Sequence, residues 1–249
     1  MMEYNVYFSP TGGTEKAAMM LSPEGKVIDL SGTECPSVTV FGKDDLVFVS
    51  VPSFQGRVPE FVTERIRASL SGNGTPCVLN ACWGARAFDD TLIELHDTMT
   101  ALGFVTVAAV SSITEHSMIR EFAAGRPDED DGKDLSSFRD RILGKLSSGD
   151  FSTPAIPGNR PYRATHPNMQ PLFRADACTY CRACASSCPA GAISMLDPGK
   201  TDPEKCISCM RCIAVCTAGA RYIDPVKLGA VKEKIGPACA IPKKAELFI

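Results

Sequence analysis

The sequence predicts a doubly wound α/β domain with a parallel five-stranded sheet, followed by a smaller α+β domain. Three observations support this prediction: five apolar runs alternate with amphipathic segments over residues 1–150, prolines are dense in 151–173, and two cysteine runs follow. We therefore divide the 249 residues into a first domain at 1–150, a proline-rich linker at 151–173 and a second domain at 174–249.

The five predicted strands are short and most of them are apolar almost throughout. Parallel strands that are buried on both faces have this composition, whereas half-exposed strands alternate. The strands are expected at Tyr4–Phe8, Lys26–Leu30, Leu46–Val51, Cys77–Ala81 and Val105–Val110.

Helical patterns lie between and after these strands, at 14–21, 59–70, 87–102 and 134–147. Residues 31–45 are expected to be an irregular crossover. In the second helix an apolar stripe faces the core and the charged side chains face water. The stripe is Phe61, Ile66 and Leu70, and the charged residues are Glu60, Glu64, Arg65 and Arg67.

The first strand ends in a loop rich in glycine and hydroxyl side chains that passes directly into a helix. Glycine lets a phosphate approach the backbone, and a helix N-terminus supplies free N–H groups and a favourable dipole. The loop has no lysine, so it is not the Gly-x4-Gly-Lys-Ser/Thr nucleotide loop. A plain strand-to-helix turn is the alternative interpretation. The candidate phosphate ligands are Ser9, Thr11, Gly12, Gly13 and Thr14.

The loops after the third and fourth strands each contain an aromatic residue, a glycine and an arginine. In a doubly wound sheet a ligand lies beyond the carboxyl ends of the strands, so these loops would flank it. Aromatic rings there suit stacking on a flat heterocycle, although core packing is the alternative for Phe54 and Trp83. The candidate residues are Pro52, Ser53, Phe54, Gly56, Asn80, Ala81, Trp83, Gly84, Arg86 and Asp89.

Eight cysteines form two runs of identical spacing, Cys-x2-Cys-x2-Cys-x3-Cys, offset by 28 residues. Each run has the spacing that wraps three thiolates around a four-iron cube and sends the fourth to another cube. Zinc is the alternative, but zinc sites use two pairs of ligands and not triplets ending in x3-Cys. The runs are Cys178, Cys181, Cys184, Cys188 and Cys206, Cys209, Cys212, Cys216.

These runs resemble a bacterial-type two-cluster ferredoxin. The resemblance implies two [4Fe–4S] clusters and assigns Cys178, Cys181, Cys184 and Cys216 to one of them. Cys206, Cys209, Cys212 and Cys188 are implied for the other. The first run ends Cys188-Pro189, as in that family, whereas the second ends Cys216-Thr217, so one reduction potential is expected to differ.

The loop Ser9–Thr14 resembles the flavodoxin phosphate loop, Ser/Thr-x-Thr-Gly-x-Thr. The whole chain resembles a family, mainly from anaerobic microbes, in which a flavodoxin-like domain is fused to a two-cluster ferredoxin. The stretch from Trp83 to Asp90 is similar to that family's Tyr-Gly-Asn-Arg-Ala-Tyr-Asp-Asp, with Ala85 replacing a polar side chain. The resemblance implies bound FMN and a flavodoxin-like sheet order of 2-1-3-4-5.

Composition and charge restrict the function further. The net charge is −3, with 13 Lys/Arg against 22 Asp/Glu in residues 1–150 and 13 against 7 in 151–249, which gives no support to nucleic-acid binding. The start of the chain shows no secretory signal, and no apolar run is long enough to span a bilayer. Twelve cysteines without an export signal suggest metal binding in a reducing cytoplasm.

The predicted function is electron transfer between FMN and the two clusters, exchanging electrons with an external redox protein or enzyme. One alternative is a ferredoxin whose flavodoxin-like half binds no flavin and serves as a docking or regulatory module. Another is a flavin-dependent reductase of a small molecule held by Arg57 and Arg86. No catalytic residue is identified, His116 is interpreted as structural, and the acidic run at 128–131 as a solvated loop. The oligomeric state is left open.

Overall fold

Six strands form the central sheet. In the computed structural model, which describes residues 2–166 and 169–249, all five predicted parallel strands are present within a few residues of their expected bounds. They are β1 (Met2–Tyr7), β2 (Lys26–Asp29), β4 (Asp45–Pro52), β6 (Thr75–Trp83) and β7 (Phe104–Ile113). Two short strands, β3 (Thr39–Val40) and β5 (Leu70–Ser71), pair with each other outside this sheet.

The sixth strand corrects the five-stranded prediction. β10 (Glu246–Phe248) pairs antiparallel with β7, placing Leu247 opposite Val110, and the sheet order is β10-β7-β6-β4-β1-β2. The segment lies more than 130 residues after β7 and has only three residues, so it carries no periodicity that could identify it. It covers the edge of β7, which would otherwise expose unpaired backbone groups.

Helices cover both faces of the sheet, as a doubly wound domain requires. They are α1 (Gly13–Leu21), α2 (Glu60–Ser69), α3 (Thr91–Ala101) and α4 (Glu129–Ser147). One group of buried side chains packs on one face around Phe8, Val49 and Leu79, and a second packs on the other around Phe48, Val78 and Leu135. Residues 31–45 contain no helix, as expected.

The prediction for Arg65 was wrong. Glu64 and Arg67 are exposed, but Arg65 retains only 7% of its exposure although it belongs to the same helix, α2. Its guanidinium lies over the ring of Phe61, 4.5 Å from the centroid. An aromatic ring and backbone carbonyls replace the water that a surface arginine would keep.

The acidic run at 128–131 is exposed at residues 128–130, as expected, but it is not a loop. Asp128 is the N-cap of α4 and accepts hydrogen bonds from the backbone N–H groups of Asp130 and Asp131. Asp131 is buried and forms an ion pair with Arg126. Carboxylates at a helix N-terminus satisfy free N–H groups and complement the helix dipole, so this run starts the helix.

The second domain consists of short elements. β8 (Leu172–Phe173) pairs antiparallel with β9 (Arg221–Tyr222), and α5 (Ala183–Ser186) and α6 (Arg211–Ala214) follow corresponding positions of the two cysteine runs. A longer helix, α7 (Pro225–Cys239), follows and is capped by Asp224. The predicted linker includes Pro167 and Asn168, which lie outside the described residues. No helix of the described part of the chain is long and apolar enough to cross a membrane.

Candidate functional site

The two cysteine runs fold in the same way. Backbone φ is positive at Tyr180 and Arg182 in the first run, 53° and 62°, and at the equivalent Ser208 and Met210 in the second, 53° and 66°. Left-handed residues alternating with right-handed ones turn successive N–H groups toward a common centre, a geometry that binds anions. In each run the second left-handed residue also starts a short helix, α5 or α6. The sequence repeat is therefore a conformational repeat.

Backbone N–H groups point at the last sulfur of each run. The amide of Ala192 donates to Cys188 Sγ at 3.3 Å, and the amide of Ala220, 28 residues later, donates to Cys216 Sγ at 3.2 Å. Such N–H···S bonds stabilise thiolate charge and help to set cluster potentials. The Ala-Gly-Ala that follows each run therefore supplies a donor to the last sulfur of that run.

Eight thiols line two separate cavities. The first, called here the Cys188 cavity, is lined by Cys188, Cys206, Cys209 and Cys212. The second, called the Cys178 cavity, is lined by Cys178, Cys181, Cys184 and Cys216. Each cavity thus takes three cysteines from one run and the fourth from the other. Within residues 2–166 and 169–249, no three His, Cys, Asp or Glu side chains converge as ligands of a single ion do.

Burial distinguishes the two cavities. Three of the four thiols of the Cys188 cavity are at most 9% exposed and Cys206 is partly exposed, whereas in the Cys178 cavity only Cys184 is buried and Cys181 is exposed. Burial raises the pKa of the Cys209 and Cys212 thiols to about 12. Metal binding there must therefore displace the thiol protons.

The loop after β1 presents donors that the protein leaves unused. The amide of Glu15 donates to Ser9 Oγ at 2.9 Å, which shapes the turn, and Gly12 has a φ of 92°. Over the described residues, no hydrogen bond uses the backbone N–H groups of residues 11–14. Four consecutive free N–H groups at the start of α1 form a cradle for an anion.

The loops after β4 and β6 contact each other. The amide of Asp90 donates to the carbonyl oxygen of Gly56 at 2.9 Å, and a side chain on Gly56 would collide with Asp89. Asp89 forms ion pairs with both Arg86 and Arg163. The predicted ring-flanking residues are therefore brought together, but they contact one another and the linker.

The linker lies across these loops. Asp90 accepts hydrogen bonds from the backbone of Asn159 and Arg163, and Asp97 accepts from Arg160 and Tyr162. Burial is the largest effect on Asp90 and raises its pKa, but the hydrogen bonds from Arg163 and Asn159 outweigh it and hold the pKa below its usual value.

Trp83 is a core residue in this structure. It is 5% exposed and packs edge-on against Phe88, with ring centroids 5.7 Å apart. Lys243 from the C-terminal segment lies over its ring at 5.8 Å and donates to the carbonyl oxygen of Ala85 at 2.7 Å. The indole Nε1 is buried without a hydrogen-bond partner among the described residues. An unpaired buried donor of this kind is costly and indicates a place where an acceptor would be stabilised.

His116 holds its own loop together. Its Nδ1 accepts from the amides of Met118 and Ile119, each at 3.2 Å, and its ring packs against Gly84. Burial, with a smaller effect from Arg86, lowers the His116 pKa to about 4. These contacts are those of a structural histidine.

The remaining predicted residues lie in or beside the sheet. Asn80 is fully buried, donates to Ser50 Oγ at 3.1 Å and accepts from Ser112 at 2.7 Å. Ser53 accepts from Thr91 at 2.7 Å. Pro52 and Ala81 are buried within β4 and β6, and Phe54 is half-buried. These residues support the loops.

Comparison with known proteins identifies the cysteine-rich part. Residues 177–220 match the family described as "4Fe-4S dicluster domain". This segment is therefore similar to proteins that carry two four-iron clusters. The match supports iron–sulfur clusters in this part of the chain and a role in electron transfer.

One curated relative shares part of the chain. The protein named "Putative oxidoreductase AegA" from Escherichia coli (strain K12) is 37% identical over 78 residues, which is 25% of this chain and 12% of that protein. The chain thus spans only a small part of that relative's length. The similarity relates a segment of this chain to a protein named as an oxidoreductase.

Sequence reasoning missed the residues that connect the two domains. Arg65, Arg211, Ile207 and Lys243 all contact the other domain. The helical pattern predicted that Arg65 faces solvent. Periodicity within one helix contains no information about a second domain that packs on that helix. The close packing of Gly84 against His116 could not be predicted from the sequence either.

Proposed function

We propose that this chain transfers electrons between an FMN held by the α/β domain and two [4Fe–4S] clusters held by the dicluster domain, and from there to an external redox protein. When bound, FMN exchanges one or two electrons and each cluster exchanges one, so the chain would convert between two-electron and one-electron carriers. A reducing cytoplasm is the compartment that this chemistry requires.

The observation that carries the proposal is the cradle of free N–H groups in the loop at residues 9–14. It lies at the carboxyl end of β1. The five parallel strands are ordered β2-β1-β4-β6-β7, so the strand that follows β1 in the sequence pairs with it on one side, and β4 pairs with it on the other. Ligands of open α/β sheets bind at this switch point. The unused donors and the hydroxyls of Thr11 and Thr14 fit the phosphate of FMN.

The protein would tune the flavin by charge. The first 150 residues carry 22 Asp/Glu against 13 Lys/Arg. A surplus of negative charge disfavours an anionic reduced ring, by the same effect that a like charge has on a pKa. We therefore expect a low flavin potential, which suits exchange with low-potential clusters.

The test is a comparison of FMN with riboflavin on anaerobically purified, cluster-containing protein. If the loop holds the phosphate, about one FMN binds per chain, about tenfold or more tightly than riboflavin, because several charge-assisted hydrogen bonds are lost with the phosphate. Thr11→Ala should weaken FMN but not riboflavin. Ser37→Ala, an exposed residue with no described hydrogen bond, is the matched control.

The contacts between the loops favour a second candidate. Asp89 packs closely against Gly56 and forms an ion pair with the linker residue Arg163. Lys243 lies over the ring of Trp83. On this hypothesis the α/β domain binds no flavin and docks or regulates the dicluster domain. About eight iron and eight sulfide per chain with no FMN binding, even after reconstitution, would establish it over the first proposal.

The small-molecule reductase is disfavoured by the two arginines on which it depended. Arg57 donates two hydrogen bonds to the carboxylate of Glu94, both at 2.7 Å, and Arg86 pairs with Asp89. A guanidinium already bound to a carboxylate has little attraction left for an anionic substrate.

A further inference from the structure

Arg65 connects the two domains from a buried position. Its Nη1 donates to the carbonyl oxygens of Leu30, Gly32 and Glu34 at 2.7, 2.6 and 3.3 Å. Its Nη2 donates to Thr33 O at 3.1 Å and to Pro189 O at 2.9 Å. One side chain therefore holds the loop after β2, called here the 30–34 loop, and the residue that follows Cys188.

This arrangement is specific to arginine. No carboxylate within the described ranges forms an ion pair with Arg65, so backbone carbonyl dipoles and the ring of Phe61 compensate its burial. A buried charge without such partners would cost several kcal/mol. The planar guanidinium points its donors in fixed directions and reaches both loops at once, whereas a lysine ammonium is a single point on a flexible stem.

Two further contacts also attach the Cys188 cavity to the α/β domain. Arg211, which lies between Cys209 and Cys212, donates to the carbonyl oxygen of Ser31 at 3.1 Å. Ile207, between Cys206 and Cys209, packs against the apolar core of the α/β domain. All three contacts come from residues adjacent to ligands of the Cys188 cavity.

The 30–34 loop in turn contacts the candidate phosphate loop. The amide of Ser9 donates to Ser31 Oγ at 2.6 Å, and the amide of Ser31 donates to Asp29 at 2.7 Å. Ser31 therefore accepts one hydrogen bond from Arg211 at its carbonyl oxygen and another from the amide of Ser9 at its hydroxyl oxygen. A short hydrogen-bonded path joins the Cys188 cavity to the first residue of the loop.

The other end of the dicluster domain faces solvent. Cys181 is exposed, Tyr180 beside it is 56% exposed, and Thr217 after Cys216 is exposed, whereas its counterpart Pro189 is buried. The departure Cys216-Thr217 therefore belongs to the exposed cavity, and the Cys188-Pro189 turn belongs to the docked one.

We propose that Arg65 is a positioning residue that docks the Cys188 cavity onto the 30–34 loop and makes it the inner cluster site, next to the phosphate loop, with the Cys178 cavity as the outer site. The docking stands on the contacts alone. The role of the inner site in exchanging electrons with bound FMN rests on the proposed function.

Hydrogen–deuterium exchange on the cluster-containing protein tests the docking. Arg65→Met should speed amide exchange about tenfold or more in the 30–34 loop and around Pro189, because lost docking contacts lower the free energy of local opening. Arg65→Lys should give a smaller change in the same peptides and keeps the test valid if the methionine variant folds poorly. Arg67→Met, exposed on the same helix, should match the wild type. Equal exchange in the Arg65 variants and the wild type overturns the docking.

Stopped-flow spectroscopy on FMN-loaded protein tests the inner assignment. One-electron oxidation of reduced flavin, coupled to one-electron reduction of a cluster, should slow about tenfold or more in Arg65→Met, since transfer depends on the distance that the docking sets. An unchanged rate together with altered exchange overturns the inner assignment. If FMN does not bind the wild type, the proposed function fails, and the exchange measurement alone still decides the docking.

Discussion

Arg65 and Pro189 are 124 positions apart in the chain, and the Arg65 guanidinium donates a 2.9 Å hydrogen bond to the Pro189 carbonyl oxygen. Pro189 follows Cys188, which lines the Cys188 cavity, and Arg65 belongs to α2 of the α/β domain. This hydrogen bond is one of the contacts that join the two domains, with those of Arg211, Ile207 and Lys243.

The crossed arrangement of the cysteines can be tested with paired variants. Cys188→Ala combined with Cys206→Ala should remove two of the four thiols of the Cys188 cavity and none of the other cavity, and so leave about four of eight iron atoms. Cys188→Ala combined with Cys178→Ala removes one ligand from each cavity and should leave fewer. Iron and acid-labile sulfide analysis measures this, with Cys35→Ala as the control outside both cavities. The opposite ranking of the two pairs would contradict the arrangement.

A methyl group on Gly84 should destabilise the loop after β6. Its Cβ would lie 2.7 Å from His116 Cβ, a distance at which one of the two must move. We expect Gly84→Ala to lower the free energy of unfolding by about 1–3 kcal/mol. Urea denaturation followed by the fluorescence of Trp83 measures it.

Gly144→Ala provides the contrast for that measurement. Gly144 lies in α4 with open space around its Cβ position. Alanine in a helix is favoured over glycine by about 0.5–1 kcal/mol, so this variant should be slightly more stable than the wild type. Equal losses in the two variants would show that the contact with His116 does not matter.

His116 should make stability depend on pH. Its pKa in the folded protein is about 4, below the ordinary value of 6.5. The unfolded chain therefore binds a proton that the folded protein does not, and stability is full above pH 6.5 and falls as pH decreases toward 4. The maximum loss is about 3 kcal/mol.

His116→Asn isolates this effect. An asparagine oxygen can accept from the same backbone N–H groups but does not titrate. The difference in urea midpoint between the wild type and the variant should narrow from pH 7 to pH 5. A constant difference would show that another group, such as His96, causes the pH dependence.

Asp97 should hold the linker against α3. It accepts from Arg160 Nε at 2.8 Å and from the Tyr162 hydroxyl. Asp97→Asn removes the charge on which both bonds depend, so limited proteolysis within 151–166 should become about tenfold faster. Asp44→Asn, exposed and without a described hydrogen bond, is the matched control. If Asp97→Asn were cleaved at the rate of the control, the linker would be held by its other contacts.

Much of the fold was accessible from local patterns. Buried parallel strands are apolar runs, and the five runs became β1, β2, β4, β6 and β7 because each pairs with a neighbour over its own length. The spacing of the cysteines determined their cavities for a similar reason. Two residues between ligands permit the tight left-handed turns seen at Tyr180 and Ser208, and three residues carry the fourth sulfur to the other cavity.

Only the tertiary structure decided which surfaces meet. The burial of Arg65, the pairing of β10 with β7, and the linker bonds to Asp90 and Asp97 join residues between about 60 and 140 positions apart. Hydrophobic periodicity shows which side of a helix or strand faces the core of its own domain. It cannot show that the other side is covered by a second domain and not by solvent. For that reason the sequence by itself determined which cysteines group together, and the packing of the domains determined which cavity lies beside the loop at residues 9–14.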